Sequence, residues 1–299
     1  MGGQGDGRKE GQASEVRNER RHRSAHGRGG GIRLNLDKKV NWELLTIVKF
    51  GGSAITNKEK RFSVRRSVLR RLAGEVARTR ARLLIVHGGG SFGHPLAKEY
   101  GLSGGYRDRK QLIGASLTHS AMVRLNEIVV KALRDEGVPA FPVQPSSCMV
   151  VRGGRIKSIE LAPLKKMIGL GLVPVLYGDV VPDMSRGISI VSGDQIAARL
   201  ALELGASRVI MAVDVDGVYT ADPKRRRDAR LIRVLTPDTA AGIGRIKAMD
   251  VTGGMGNKIM ELVGLARRGI QAQVVSAFRP GALRRAIEGD LSQGTLIKA

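Results

Sequence analysis

Cysteine is almost absent: Cys148 is the single one in 299 residues, which excludes an internal disulfide and any metal site built from several thiolates. Its apolar neighbours predict a buried, chemically quiet thiol. Aromatic residues make up 3% of the chain, so the stacking platforms that single-stranded nucleic acid needs are scarce. No run approaches the roughly 20 apolar residues that cross a bilayer, and the N-terminus lacks the apolar core of a secretory signal. A soluble, cytoplasmic protein without a membrane partner is expected. Acidic side chains are also in short supply, 27 against 51 Lys and Arg, for a formal charge of +24. Residues 1–39 hold ten basic and five acidic side chains, so ten minus five, only five net charges, lie there. The rest is scattered over the folded part, apart from Arg65-Arg66 with Arg70-Arg71 and the run Lys224-Arg225-Arg226-Arg227. A solvated basic surface suited to small anions fits this better than a nucleic-acid partner.

Glycine, by contrast, is plentiful, with 40 residues, and 42% hydrophobic residues can fill a core. Residues 1–42 are rich in Gly, Arg and other polar residues and lack helical or strand periodicity, which predicts a disordered basic extension. A single domain over 43–299 follows. Within it, the continuous aliphatic runs 44–50, 83–86, 173–176, 209–213 and 273–275 predict strands buried on both faces. Helix-like apolar spacing occupies 63–80, 109–136, 193–204 and 256–268 between them, and 156–159 and 187–190 are shorter strand candidates. Strand and helix in alternation predict an α/β fold with a mainly parallel sheet covered by helices on both faces.

Four glycine-bearing turns fall where these strands end or helices begin: Lys49-Phe50-Gly51-Gly52-Ser53, His87-Gly88-Gly89-Gly90-Ser91-Phe92-Gly93-His94, Tyr177-Gly178-Asp179 and Thr252-Gly253-Gly254-Met255-Gly256-Asn257-Lys258. Glycine lets backbone N–H groups approach an anion, and a following helix adds its positive end. Together the four turns, two of them carrying lysines, point to phosphate. No Walker loop is present: aligned on Lys258, Thr252 and Asn257 stand where its glycines belong. Gly88, Gly90 and Gly93 match the dinucleotide spacing, but the acid that should follow a strand some 20 residues on is replaced by Asp108 in a polar loop.

The charges beside the glycines carry the chemistry. Lys49 ends a strand expected to be buried, where a lysine needs an anionic partner. Lys258 opens a helix, where a cation opposes the dipole unless a phosphate lies between. Lys58, taken alone, reads as a surface lysine. Two readings fit Asp194 at the head of its helix: a first-turn acid or cap, and a carboxylate holding two lysines in place. Asp214 and Asp216 follow a strand and fit either a nucleotide turn or a polar loop.

In this order the loops resemble the amino-acid-kinase superfamily, and within it the isopentenyl phosphate kinase family. The shared features are the first loop 49–53, Ser192-Gly193-Asp194-Gln195, Val213-Asp214-Val215-Asp216-Gly217-Val218-Tyr219 with Asp222-Pro223, and the last loop 250–258. The finer mark is Gly88-Gly89-Gly90-Ser91-Phe92-Gly93-His94-Pro95, since other branches, acting on carboxylates or uridylate, lack this histidine. The resemblance spans about 44–299. It implies an open αβα sandwich of about eight strands, with an acceptor half over 43–180, an ATP half over 181–299, and a homodimer. It further implies transfer of the ATP γ-phosphoryl group to isopentenyl phosphate with Mg2+, as in an archaeal-type mevalonate route of isoprenoid biosynthesis. By position, Lys49, Gly51, Gly52, Ser53, Gly90, Gly254 and Lys258 would meet ATP, with Asp214 facing the nucleotide. Lys58 would stabilise the moving phosphoryl group and Asp194 would organise Lys49 and Lys258. Gly89, His94 and Gly178 would hold the acceptor; no residue is assigned to a metal. On the helix over 110–136, Leu112, Ile113, Ala115, Leu117, Ala121 and Met122 fit both an apolar tail pocket and plain core packing.

Two other readings compete with this one. Another kinase of the superfamily would take a phosphonate or a carboxylate, and a nucleotide-binding regulatory or RNA-associated protein would use the basic arm. His94 favours a phosphate or phosphonate acceptor, because a carboxylate can be held by backbone alone.

Overall fold

The computed structural model describes Gly2 and residues 45–240 and 254–299. The expected disordered extension lies outside these residues, apart from Gly2. In chain order the strands are β1 (Leu45–Phe50), β2 (Arg82–His87), β3 (Ala140–Pro142), β4 (Met149–Arg152), β5 (Arg155–Ile159), β6 (Val173–Tyr177), β7 (Asp179–Asp183), β8 (Gly187–Val191), β9 (Arg208–Val213), β10 (Val218–Tyr219), β11 (Leu231–Ile232), β12 (Val234–Leu235), β13 (Gln271–Ser276) and β14 (Thr295–Ile297). The helices are α1 (Gly52–Ile55), α2 (Arg66–Ala77), α3 (Gly90–Glu99), α4 (Arg109–Asp135), α5 (Ala162–Gly169), α6 (Gly193–Leu204), α7 (Gly254–Ala266) and α8 (Ala282–Ile287).

Eight strands form one sheet in the order β12-β14-β13-β9-β1-β2-β6-β3. It is parallel from β13 to β3, and β14 enters antiparallel to β13. Successive strand residues point to opposite faces, which divides the core in two. Leu45, Ile47, Leu84, Val86, Val209 and Met211 pack with Ile196 and Leu200 of α6 and Leu262 of α7. Val48, Phe50, Leu83, Ile85, Ile210 and Ala212 pack with Leu69 and Leu72 of α2, Phe92 of α3 and Leu125 and Val129 of α4. The result is the expected αβα sandwich. A smaller sheet, β5-β4-β7-β8, and a two-stranded ribbon, β10-β11, extend from it. The buried Asp183 joins two hairpins of the small sheet: its carboxylate accepts the N–H groups of Gly153, Gly154, Ser185 and Arg186 and the Ser189 hydroxyl.

Two of the four expected helix starts differ from the periodicity. The helix expected from Ser63 begins at Arg66, because Val64 pairs antiparallel with Thr56 first. Helix α7 starts at Gly254 rather than 256, so its first turn contains the glycines that read as loop. Helix α3, inside the second glycine turn, has no helical signature in sequence. It contains Pro95, whose missing N–H leaves the Ser91 carbonyl without its helical donor. Phe62 N–H donates to that carbonyl instead, at 3.2 Å. Cys148 is half-buried, and burial pushes its thiol up to about 11, consistent with a quiet side chain.

Candidate active site

Strand β1 lies at the centre of the sheet, and the chain leaves it for β2 on one side and later for β9 on the other. Such a switch point opens a crevice at the C-terminal strand ends. Here those ends carry the glycine turns. The main chain stitches them together: Gly51 N–H donates to Ala212 O at 2.8 Å, Gly88 N–H to Phe50 O at 3.0 Å, and Gly178 N–H to His87 O at 2.9 Å. The first two turns touch backbone to backbone. A Cβ on Gly52 would run into Gly90 N and stand 2.9 Å from Gly90 Cα, and Gly90 itself has φ of +46°, which side chains disfavour. Thr56 locks this contact, donating to Gly52 O at 2.7 Å and accepting from Ser91 N–H at 2.9 Å.

Alternation along β1 sends Lys49 to the α6–α7 side, with Leu45 and Ile47. There its ammonium donates to Asp194 Oδ1 at 2.7 Å. Lys258 of α7 donates to the same carboxylate, at 2.9 Å to Oδ1 and 3.0 Å to Oδ2. Both lysines are buried, 4% and 7% exposed, so one carboxylate holds two cations out of water. The choice left open for Asp194 is resolved by its neighbour: Ser192 caps α6, its hydroxyl accepting Gln195 N–H at 3.1 Å, and Asp194 is free to act as the clamp. Burial works to raise the Asp194 carboxyl, but the two ammonium groups prevail and hold it down at about 2. Burial and then the Lys49 charge lower Lys258, against the pull of Asp194. An anion entering beside them meets two cations already fixed in place.

His94 lies on α3, on the opposite side of the sheet, with its ring exposed to solvent. Partial desolvation and the charges of Lys49 and Lys58 lower its pKa, so it is set to accept an anion that restores its proton. Met122 of α4 packs beneath Gly89 and Gly93. The six apolar residues of α4 therefore divide: Ala121 and Met122 are core, Ala115 is half-buried, and Leu112, Ile113 and Leu117 are exposed.

Toward β9, Asp214 accepts from Ser53 Oγ at 3.1 Å and from Lys224 Nζ at 2.8 Å. Burial opposes its ionisation, but Lys224, Lys58 and Ser53 lower its pKa. Lys58 is exposed and makes no ion pair among the described residues, yet its field reaches both His94 and Asp214.

Comparison with known proteins agrees with this arrangement. A model of the amino acid kinase family matches residues 45–276. The isopentenyl phosphate kinase of Methanothermobacter thermautotrophicus is 40% identical over 262 residues, covering 85% of this chain and 98% of that protein. That of Haloferax volcanii is 38% identical over 260 residues, with the same coverage. A crystal structure of an isopentenyl phosphate kinase superposes with a TM-score of 0.76 at 37% identity, covering 85% of this chain and all of that one.

The chain belongs to the amino acid kinase family, in its isopentenyl phosphate kinase branch.

The structure brings the sequence-derived residues of the first three turns, Asp194, Asp214 and Lys258 to one sheet edge. Gly254, where the described chain resumes, begins α7, four residues before Lys258. Sequence reasoning missed Lys224: it read as one of four consecutive basic residues, and only its 2.8 Å bond to Asp214 sets it apart. Its neighbours Arg225 and Arg226 pair with Asp222 and Asp228. Asp108 caps α4 in a reciprocal capping box with Gln111, which gives it a structural role in place of the ribose contact that the dinucleotide pattern would need. Among the described residues no helix is long and apolar enough to cross a membrane.

Proposed function

We propose that the chain transfers the γ-phosphoryl group of ATP to the phosphate of isopentenyl phosphate, giving isopentenyl diphosphate and ADP. The observation that carries this reading is geometric: Gly52 and Gly90 touch backbone to backbone, so the loop that follows Lys49 and the loop that leads to His94 meet. Acceptor recognition and phosphoryl stabilisation therefore share one site. An acceptor phosphate oxygen attacks the γ-phosphorus as the bond to the β–γ bridging oxygen breaks, and the electron pair leaves with ADP. The acceptor is already an anion, so no general base is needed; alignment and charge neutralisation remain.

Lys49 and Lys258, fixed by Asp194, take the donor phosphate oxygens together with the N–H groups around Gly51, Gly52, Ser53, Gly90 and Gly254. Lys58, which makes no ion pair among the described residues and whose charge is felt at both His94 and Asp214, follows the group in transfer. His94, with Gly89 and Gly178, holds the acceptor, and the exposed Ile113 and Leu117 offer apolar surface to its five-carbon tail. Asp214 and Lys224 face the nucleotide. Mg2+ bound with ATP would supply further neutralisation of phosphate charge. The carboxylate of Asp194 is taken by two lysines and that of Asp214 by Lys224 and Ser53, so the residues suit an ion carried mainly by phosphate oxygens and water.

Purified protein with Mg-ATP should release ADP rapidly on addition of isopentenyl phosphate, and far more slowly with acetylglutamate or uridylate. Equal release with all three, or none above background, refutes the reading.

A further inference from the structure

The second glycine turn contains two histidines, and the chemistry above uses only His94. His87 is the last residue of β2 and is fully buried, 0% exposed. Its register partners are Phe50 on β1 and Tyr177 on β6, so it stands where the three central strands end together. Four contacts of His87 lie toward the acceptor end. Its carbonyl accepts Gly178 N–H at 2.9 Å. Its ring stacks on Tyr177, the residue before Gly178, at 5.6 Å between centroids. Nε2 lies 3.2 Å from Oδ1 of Asn126, a buried residue of α4, and Nδ1 lies 3.2 Å from Gly88 O. Burial first, with Lys49 adding to it, keeps the ring neutral, with a pKa down at about 4. A neutral ring has one N–H to give. With Nδ1–H donated to Gly88 O, Nε2 accepts from the Asn126 amide once that amide, which a half-turn reverses, presents its NH2.

In a trans peptide the C=O and N–H point in opposite directions. A ring that draws the Gly88 carbonyl inward therefore turns the Gly89 N–H outward. Among the described residues that N–H has no acceptor. We infer that His87 is the positioning residue of the acceptor end, anchoring the Gly88–Gly89 peptide so that Gly89 N–H and Gly178 face one acceptor phosphate. Asn126 holds the ring and thereby ties α4 to the same point. The inference rests on the function proposed above.

Steady-state kinetics on the full chain test it, with His87→Ala, His87→Gln and Asn126→Ala beside the parent. The KM for isopentenyl phosphate should rise about tenfold or more in His87→Ala while the KM for ATP stays within about twofold. His87→Gln, whose amide can donate to Gly88 O, should recover most of the loss, and Asn126→Ala should fall between. Equal changes in both KM values, or a lowered Tm with both KM values unchanged, would overturn the assignment. Should His87→Ala fail to fold, Asn126→Ala decides: an unchanged acceptor KM overturns it. A parent protein that does not turn over isopentenyl phosphate refutes the function instead. In that event inorganic phosphate is the probe, read on 15N-glycine amides: the Gly89 signal should shift in the parent and not in Asn126→Ala, and identical shifts in both reject the role of His87.

Discussion

His94 and Asp194 show what a single residue can and cannot reveal before its neighbours are known. The glycines around His94 make it a candidate anion ligand in the sequence, over a helix N-terminal histidine satisfied by backbone. Asp194 was ambiguous, since an acid in a first helical turn is stabilising with or without a ligand. What settled it was three-dimensional: Ser192 caps the helix, and two lysines from 145 residues upstream and 64 residues downstream converge on the carboxylate. Lys224 is illegible for the same reason, as charge runs carry no sign of which member pairs with a site carboxylate. At this scale the test is His94→Ala. Its kcat/KM for isopentenyl phosphate should fall about 100-fold or more, as for loss of a transition-state donor, with the KM for ATP nearly unchanged. An unaltered acceptor kcat/KM would remove His94 from the site.

Among the elements, long apolar ones were legible and short ones were not. β1, β2, β6, β9 and β13 are buried on both faces and read as unbroken aliphatic runs, whereas β3, β10, β12 and β14 have two or three residues each, too few to show a period. Helix α3 was hidden because glycine and proline, poor helix formers, fill its first two turns. They are tolerated because the first turn must let Gly52 and Gly90 touch. Gly52→Ala therefore forces two loops apart, with no flexible side chain to give way. We expect a loss of about 1–3 kcal/mol in chemical denaturation, together with a fall in kcat larger than that of a comparable substitution on the far edge of the sheet. Wild-type turnover in a fully folded Gly52→Ala protein would show that this close approach is not needed.

For the molecule as a whole, alternation along the central strands decides which layer each group joins. Lys49, Asp194 and Lys258 belong to one helical layer and His94 to the other, and they meet only at the C-terminal edge of the sheet. That meeting was legible as a set of glycine turns at strand ends, while its internal bonds were not, because they join segments far apart in sequence. The excess of basic charge fits the same picture, with one cluster turned inward for phosphate and the rest dispersed on the surface. The most direct measurement is 31P NMR of the full chain with Mg-ATP and isopentenyl phosphate. The singlet of the monophosphate should give way to the paired doublets of a new diphosphate, in step with formation of ADP. ADP with inorganic phosphate alone, and an unchanged monophosphate signal, would contradict phosphoryl transfer between the two ends of this site.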